Sequence, residues 1–120
     1  MIISDIITEV DKLRPGNKFT TAQKIDWISN LDAKIHNDII VPYSKRDERF
    51  YSYKAATDKV IASDRYMQMY INYVVAQIDY YLTEYSRFNN GMVMFNNEYS
   101  EFERDFIRTH RKPRVRFTGL

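Results

Sequence analysis

The sequence predicts a mainly α-helical protein: a small helical bundle with long, aromatic-rich helices in its C-terminal half. Three observations indicate this fold class. Apolar residues recur at helical spacing in three separate segments of the chain. Only three glycines and three prolines occur, which is few for a β fold that depends on tight turns. There is no cysteine to form a disulfide framework, and the 120 residues fit a single domain spanning 1–120.

The first two helices are predicted from their apolar stripes and from the residues at their ends. In residues 2–13 the apolar positions have helical spacing: Ile2, Ile3, Ile6, Ile7, Val10 and Leu13. Residues 14–17, with the sequence RPGN, end this helix. Thr20 and Gln23 then stand as in a capping box, where each side chain satisfies the other residue's free backbone N–H. Pro42 is predicted to end the second helix, whose stripe is Ile25, Ile28, Leu31, Ile35 and Ile39.

Residues 43–62 have no helical stripe. They begin with a mixed charge cluster at 45–49, which the aromatic run FYSY at 50–53 follows. Their β-branched and aromatic residues are compatible with two short strands or with an extended arm. A connection of this length is long for a compact domain, and such loops are often functional or mobile. We therefore predict a flexible arm that contacts partners, with these candidate residues: Phe50, Tyr51 and Tyr53.

The C-terminal half carries a heptad-like seam, behind a helix start that Ser63 or Asp64 can cap. Its members alternate steps of three and four residues: Ile78, Tyr81, Tyr85, Phe88, Met92, Phe95, Tyr99, Phe102 and Phe106. An unbroken helix over 64–109 would be about 70 Å long, whereas a compact chain of this size has a radius of gyration of about 14 Å. The helix therefore breaks and folds back, or it projects into a neighbouring subunit. The Asn-Asn-Gly at 89–91 favours a break there. The three-and-four spacing of the apolar residues, however, continues across these positions.

The chain ends in a basic segment, predicted to be a loose tail over 108–120 because it contains Pro113 and Gly119. The candidate contact residues in it are Arg108, Arg111, Lys112, Arg114 and Arg116. Such cations suit the phosphates of a nucleic acid, and they also suit an acidic protein surface. The net charge of +2 is too small to indicate a nucleic-acid partner for the whole chain. A tail that is solvated or docks on protein is the favoured interpretation.

No residue pattern in the sequence is typical of catalysis, so we predict a protein that is not an enzyme and needs no cofactor. The two histidines, His36 and His110, have no metal-ligand spacing around them, and His36 is expected at the surface or the edge of the core. No glycine-rich phosphate loop and no nucleophile motif occurs. The longest apolar runs are far shorter than the ~20 residues of a membrane span, so no membrane partner is expected.

Several runs of the sequence are similar to a known protein family. They are VDKL at 10–13, KIDWI at 24–28, LD at 31–32, YINYVVAQIDYY at 70–81, EYSRFNN at 84–90, MFN at 94–96 and RTH at 108–110. Together they resemble the head–tail connector, or head-completion, proteins of tailed phages and prophages of Gram-positive hosts. The resemblance is weakest over 43–62, and Arg65-Tyr66-Met67 stands where that family has Pro-Tyr-Asp.

The resemblance implies a structural virion protein that assembles as a homo-oligomeric ring under the portal protein and joins the capsid to the tail. Its implied partners are the portal protein, tail-side connector proteins and, through the basic tail, the packaged DNA. The implied location is the host cytoplasm during assembly and the virion afterwards. The matching runs are structural and imply no catalytic residue. Two other classes remain as alternatives: a small helical nucleic-acid-binding protein that uses the basic tail, and a regulatory or scaffolding module of the host.

Overall fold

The structure, a computed structural model, describes residues 1–44 and 52–110. These residues form α1 (Ile3–Leu13), α2 (Thr21–Ile35), α3 (Val41–Ser44), α4 (Met67–Tyr81) and α5 (Tyr85–His110). A π-helical turn (His36–Ile40) joins α2 to α3, and a 3₁₀ turn (Asp64–Tyr66) leads into α4. Within the described residues there is no strand, only one antiparallel β-bridge between Ile2 and Lys59. The predicted mainly α-helical class is confirmed.

The first two helices begin where the sequence predicts. In α1 the side chains of Ile3, Ile6 and Val10 are fully buried, so the apolar stripe faces the core. At the start of α2 the capping box is formed. The N–H of Gln23 donates to Thr20 Oγ1 at 3.1 Å, and the N–H of Thr20 donates to Gln23 Oε1 at 2.8 Å.

Pro42 does not end the second helix, contrary to the prediction. The helical chain continues through the π turn into α3. At the end of that turn the N–H of Val41 donates to the carbonyl of His36, five residues back. Pro42 is the second residue of α3, directly after the π turn, so the chain passes through this proline without leaving the helix.

The C-terminal helix breaks and folds back, but at 82–84 rather than at the predicted 89–91. Thr83 has a φ of 59°, which turns the chain out of the helical direction. α5 then runs unbroken through Gly91. A Cβ at Gly91 would lie 3.4 Å from the Cβ of Ala76, an ordinary van der Waals contact, so α4 and α5 are closely packed at this position. This packing offsets the low helix propensity of glycine.

Helix α4 is the centre of the bundle and packs against α1, α2 and α5. Fully buried apolar side chains from α1, α2 and α4 form the core: Ile3, Ile6, Val10, Ile28, Leu31, Ile35, Met69, Tyr70, Val74 and Ile78. Phe95 and Phe102 add α5 to this core. The apolar stripes read from the sequence therefore pack together as one unit.

Residues 52–62, the longer of the two described parts of the predicted arm, lie along the start of α1; we call them the strap. The strap is irregular, and the N–H of Ile3 donates to its Asp58 carbonyl at 3.0 Å. Val60, a residue of the strap, is buried. The first two residues of the predicted arm belong to α3, and 45–51 lie outside the described residues.

Candidate protein-binding surface

Large apolar and aromatic side chains cluster where the loop between α1 and α2 meets the turn between α4 and α5. We call this cluster the loop-end surface: Leu13, Phe19, Trp27, Tyr80, Tyr81, Leu82 and Tyr85. Five of these side chains are about half exposed or more, from 47% for Tyr80 to 60% for Tyr81. A contiguous apolar patch on a small protein typically marks an interaction site.

The aromatic rings of the loop-end surface pack against one another. Between ring centroids, Phe19 lies 5.4 Å from Trp27 and 6.3 Å from Tyr81. Trp27 and Tyr81 stack at 5.8 Å with an interplanar angle of 17°. Tyr80 contacts Tyr85 at 6.0 Å. Because these contacts already restrict the rings, a partner that covers them orders few additional side chains.

A buried ion pair fixes the α1–α2 loop to the end of α4. Arg14 donates from Nε to Asp79 Oδ1 at 2.8 Å and from Nη2 to Oδ2 at 2.7 Å, a two-bond geometry that suits guanidinium and carboxylate. The Asp79 side chain is 2% exposed and that of Arg14 is 25% exposed. The hydrogen bonds to Asp79 raise the pKa of Arg14 above its ordinary value. This pair holds Leu13 beside the same groove as Leu82.

Polar contacts around Asn17 hold the rest of the loop. Its Nδ2 donates to the carbonyl of Arg14 at 2.8 Å and to Asp11 Oδ1 at 3.0 Å. Its Oδ1 accepts from the N–H of Phe19 at 3.3 Å. Lys24, which is buried, donates to the same Asp11 oxygen at 2.8 Å. Phe19 is therefore positioned by side-chain hydrogen bonds although it lies outside any helix.

Next to the rings lies a groove of about 740 Å³. Its apolar and cationic side chains include Leu13, Phe19, Leu82, Arg14, Lys18 and Arg87. Among the described residues, no acidic side chain lines it. A smaller groove of about 220 Å³ shares Phe19 with it and is also lined by Asp26, Trp27 and Tyr81. One face of the molecule thus combines exposed apolar area, rigid rings and positive charge.

A second polar site lies inside the protein, around Asp32. This side chain is 0% exposed and accepts hydrogen bonds from Tyr53 Oη at 2.5 Å, Tyr70 Oη at 2.6 Å and the N–H of Ile61 at 3.1 Å. Burial raises the pKa of Asp32 above its ordinary value, and the three hydrogen bonds partly oppose that shift. No salt bridge reaches Asp32 within 1–44 and 52–110. Because the site is closed to solvent, we assign it the structural role of fixing the strap to α2 and α4.

The structure describes two of the eight residues predicted to contact partners. Tyr53 is half-buried in the strap, with its hydroxyl on Asp32. Arg108 is exposed near the end of α5 and pairs with Asp105 at 2.6 Å. Neither belongs to the loop-end surface. The others lie outside the described residues: Phe50, Tyr51, Arg111, Lys112, Arg114 and Arg116.

Two positions differ from their predicted environments. His36 is 2% exposed, so the predicted surface or edge position is wrong. It lies at the start of the π turn, four residues after the buried Asp32, and so falls on the helix face that packs into the core. Tyr81 and Tyr85 were predicted in the seam, but the turn at 82–84 interrupts the seam and leaves both exposed.

The loop-end surface joins exposed apolar area to a loop that side-chain hydrogen bonds hold in place. Within the described part of the chain, no group of three or more His, Asp or Glu side chains is arranged to hold a metal ion. None of the described helices combines the length and apolar character needed to cross a membrane.

Comparison of the chain with models of protein families, with curated proteins and with solved structures finds no match.

Proposed function

We propose that this chain is a structural virion protein of a tailed phage or prophage, a head–tail connector that assembles as a ring under the portal protein and joins capsid to tail. The observation that carries the proposal is the loop-end surface, a rigid apolar and aromatic patch that nothing else in the described chain covers. The sequence runs that resemble the connector family also support it.

The energetics of the loop-end surface favour a protein partner. Burying a large apolar side chain gives about 1.5–3 kcal/mol, so covering a half-exposed one gives about 1 kcal/mol. Leu82 and Tyr85 are 52% and 55% exposed. A partner that covers them together with Tyr81 and Leu13 gains several kcal/mol. Tyrosine suits such a site because its ring is apolar and its hydroxyl tolerates water.

A ring subunit needs two different contact surfaces, because ring contacts are heterologous. A second depression, of about 380 Å³, lies between the 3₁₀ turn and the end of α5. Tyr66, Phe106 and Arg108 are among its lining residues. From Arg87 to Phe106 a helix rises about 29 Å, so the two surfaces lie far apart along α5. This arrangement suits contact with a different partner, or a different neighbour, at each end.

The decisive experiment is an amber mutation of this gene in the parent phage or prophage, followed by electron microscopy of the lysate. We expect separate, unjoined heads and tails when the protein is missing. Intact tailed virions would refute the connector function. They would also direct attention to the alternative, a nucleic-acid-binding role of the basic tail, which a gel shift with strong salt dependence would detect.

Complementation of the amber mutant connects the function to the loop-end surface. We expect L82E to restore few plaques, because a charge at the centre of the patch opposes its burial by a partner. The matched control is N97E, which adds the same charge at an exposed position of α5. Equal plaque numbers for L82E and N97E would mean that virion assembly does not use this surface.

A further inference from the structure

The groove of the loop-end surface carries two cations, Lys18 and Arg87, that form no salt bridge within the described part of the chain. Both side chains are exposed. Arg14 is already paired with Asp79. Glu84 precedes α5 but does not line the groove. The groove therefore presents a positive potential to a ligand.

The same groove contains apolar area that a ligand can bury. Leu13 and Leu82 are 50% and 52% exposed, and Phe19 lines the groove with them. A wholly apolar ligand would remove water from Lys18 and Arg87 without pairing them, which is costly. A ligand that only neutralised the cations would leave both leucines in water. The complementary ligand thus carries apolar and acidic groups side by side.

We propose that this groove binds an acidic segment of a partner protein. An apolar side chain of the segment contacts Leu13, Phe19 and Leu82, and a neighbouring carboxylate faces Lys18 and Arg87. The inference rests on the proposed function, in which the loop-end surface binds protein, and it adds the chemistry of the segment that is bound.

Other occupants fit the groove less well. Residues 111–120 of this chain contain four cations and no acid, so the groove repels them. A nucleic acid would satisfy Lys18 and Arg87 through its phosphates. Its charged backbone, however, would not bury Leu13 and Leu82, whereas a peptide with an apolar side chain next to a carboxylate does both.

A displayed library of random dodecapeptides tests the proposal, with the full-length chain as the target at low ionic strength. Selection is run in parallel on the wild type, on K18E/R87E and on the control K54E/R104E. The control reverses two exposed cations outside the groove, so both variants change the net charge equally. All four positions are exposed, and circular dichroism verifies that each variant is folded.

We expect the wild type and K54E/R104E to enrich peptides in which Asp or Glu stands next to Leu, Phe or Met. K18E/R87E should lose these peptides. A synthetic peptide selected on the wild type should bind K18E/R87E at least about tenfold more weakly, while its affinity for K54E/R104E changes by less than about twofold. L82A should weaken binding roughly fivefold through lost apolar contact and should keep the preference for acidic peptides.

The proposal fails if the enriched peptides show no excess of acidic residues, or if K54E/R104E loses binding as strongly as K18E/R87E. It also fails if a single-stranded oligonucleotide binds in place of the peptide with the same dependence on Lys18 and Arg87. Acidic enrichment together with intact virions from the amber mutant would refute the connector function alone. Unjoined heads and tails without acidic enrichment would refute the groove chemistry alone.

Discussion

Two buried carboxylates fix two different parts of this bundle, and their charges are balanced in different ways. Asp32 accepts three hydrogen bonds from neutral donors, which are two tyrosine hydroxyls and one backbone N–H. Asp79 accepts two hydrogen bonds from the guanidinium of Arg14. The first carboxylate holds the strap against α2 and α4. The second holds the α1–α2 loop against the end of α4, and with it the groove.

The difference lies in charge and in access to water. Neutral donors stabilise a carboxylate without cancelling its charge, so burial dominates at Asp32 and its pKa lies above the ordinary value. At Asp79 the partner is itself a cation, and Arg14 remains one-quarter exposed. Asp32 therefore belongs to the interior and stabilises the fold. The pair of Arg14 and Asp79 positions a surface loop, where function is more often found.

Removal of the Asp32 carboxylate is expected to have the largest effect. In D32A the hydroxyls of Tyr53 and Tyr70 and the N–H of Ile61 lose their acceptor inside the protein. The free energy of unfolding should fall by about 3 kcal/mol, as measured by urea unfolding followed by circular dichroism. The matched control is D26A on the exposed face of the same helix, which should stay within about 0.5 kcal/mol of the wild type. Equal losses in the two variants would contradict the structural role of Asp32.

Removal of the Arg14 cation from its pair with Asp79 is expected to lower the free energy of unfolding by less. R14M leaves Asp79 without its partner, which costs about 3–5 kcal/mol in a fully buried pair. Because Arg14 is partly exposed, water reaches the site and we expect a loss of about 2 kcal/mol. The control K12M breaks a surface pair with Glu9 on α1 and should cost less than about 0.5 kcal/mol. A loss in R14M no larger than in K12M would show that the loop is not held by this pair.

The pH dependence of stability separates the two sites further. The folded state holds the pKa of Asp32 above its ordinary value of 3.8, so it binds a proton more tightly than the unfolded chain does. Between these two pKa values the folded state gains stability as the pH falls. Because D32N cannot titrate at this position, we expect the wild type to gain stability relative to D32N on acidification. Urea unfolding at a series of pH values measures the difference. A relative loss for the wild type would mean that the three hydrogen bonds outweigh burial.

Local sequence signals predicted the helices well, because the forces involved act between neighbours. The capping box of Thr20 and Gln23 lies within one turn of helix, and each step of an apolar stripe joins residues three or four apart. The position of the C-terminal break was predicted wrongly because packing between helices outweighed a local signal. Gly91 lies against Ala76 and stays helical, whereas the turn is made at Thr83, a residue type that rarely adopts a positive φ.

The two carboxylate sites could not be read from the sequence, since their members are far apart along the chain. Asp32 is 21 residues from Tyr53 and 38 from Tyr70, and Arg14 is 65 residues from Asp79. The exposed part of the loop-end surface was missed for another reason. Tyr85 has the spacing of the aromatic seam, and it is exposed because the turn at 82–84 interrupts that seam.

The smallest effect is expected at Gly91, where α4 and α5 touch between the two carboxylate sites. A Cβ there would lie 3.4 Å from Ala76, an ordinary van der Waals contact. G91A should therefore keep the packing and gain helix propensity, raising the free energy of unfolding by about 0.5 kcal/mol in urea unfolding. G91L is the contrasting variant and should lose more than about 1 kcal/mol through overpacking. A clear loss in G91A would mean that even one methyl group separates the helices. The close contact between α4 and α5 would then require glycine at position 91.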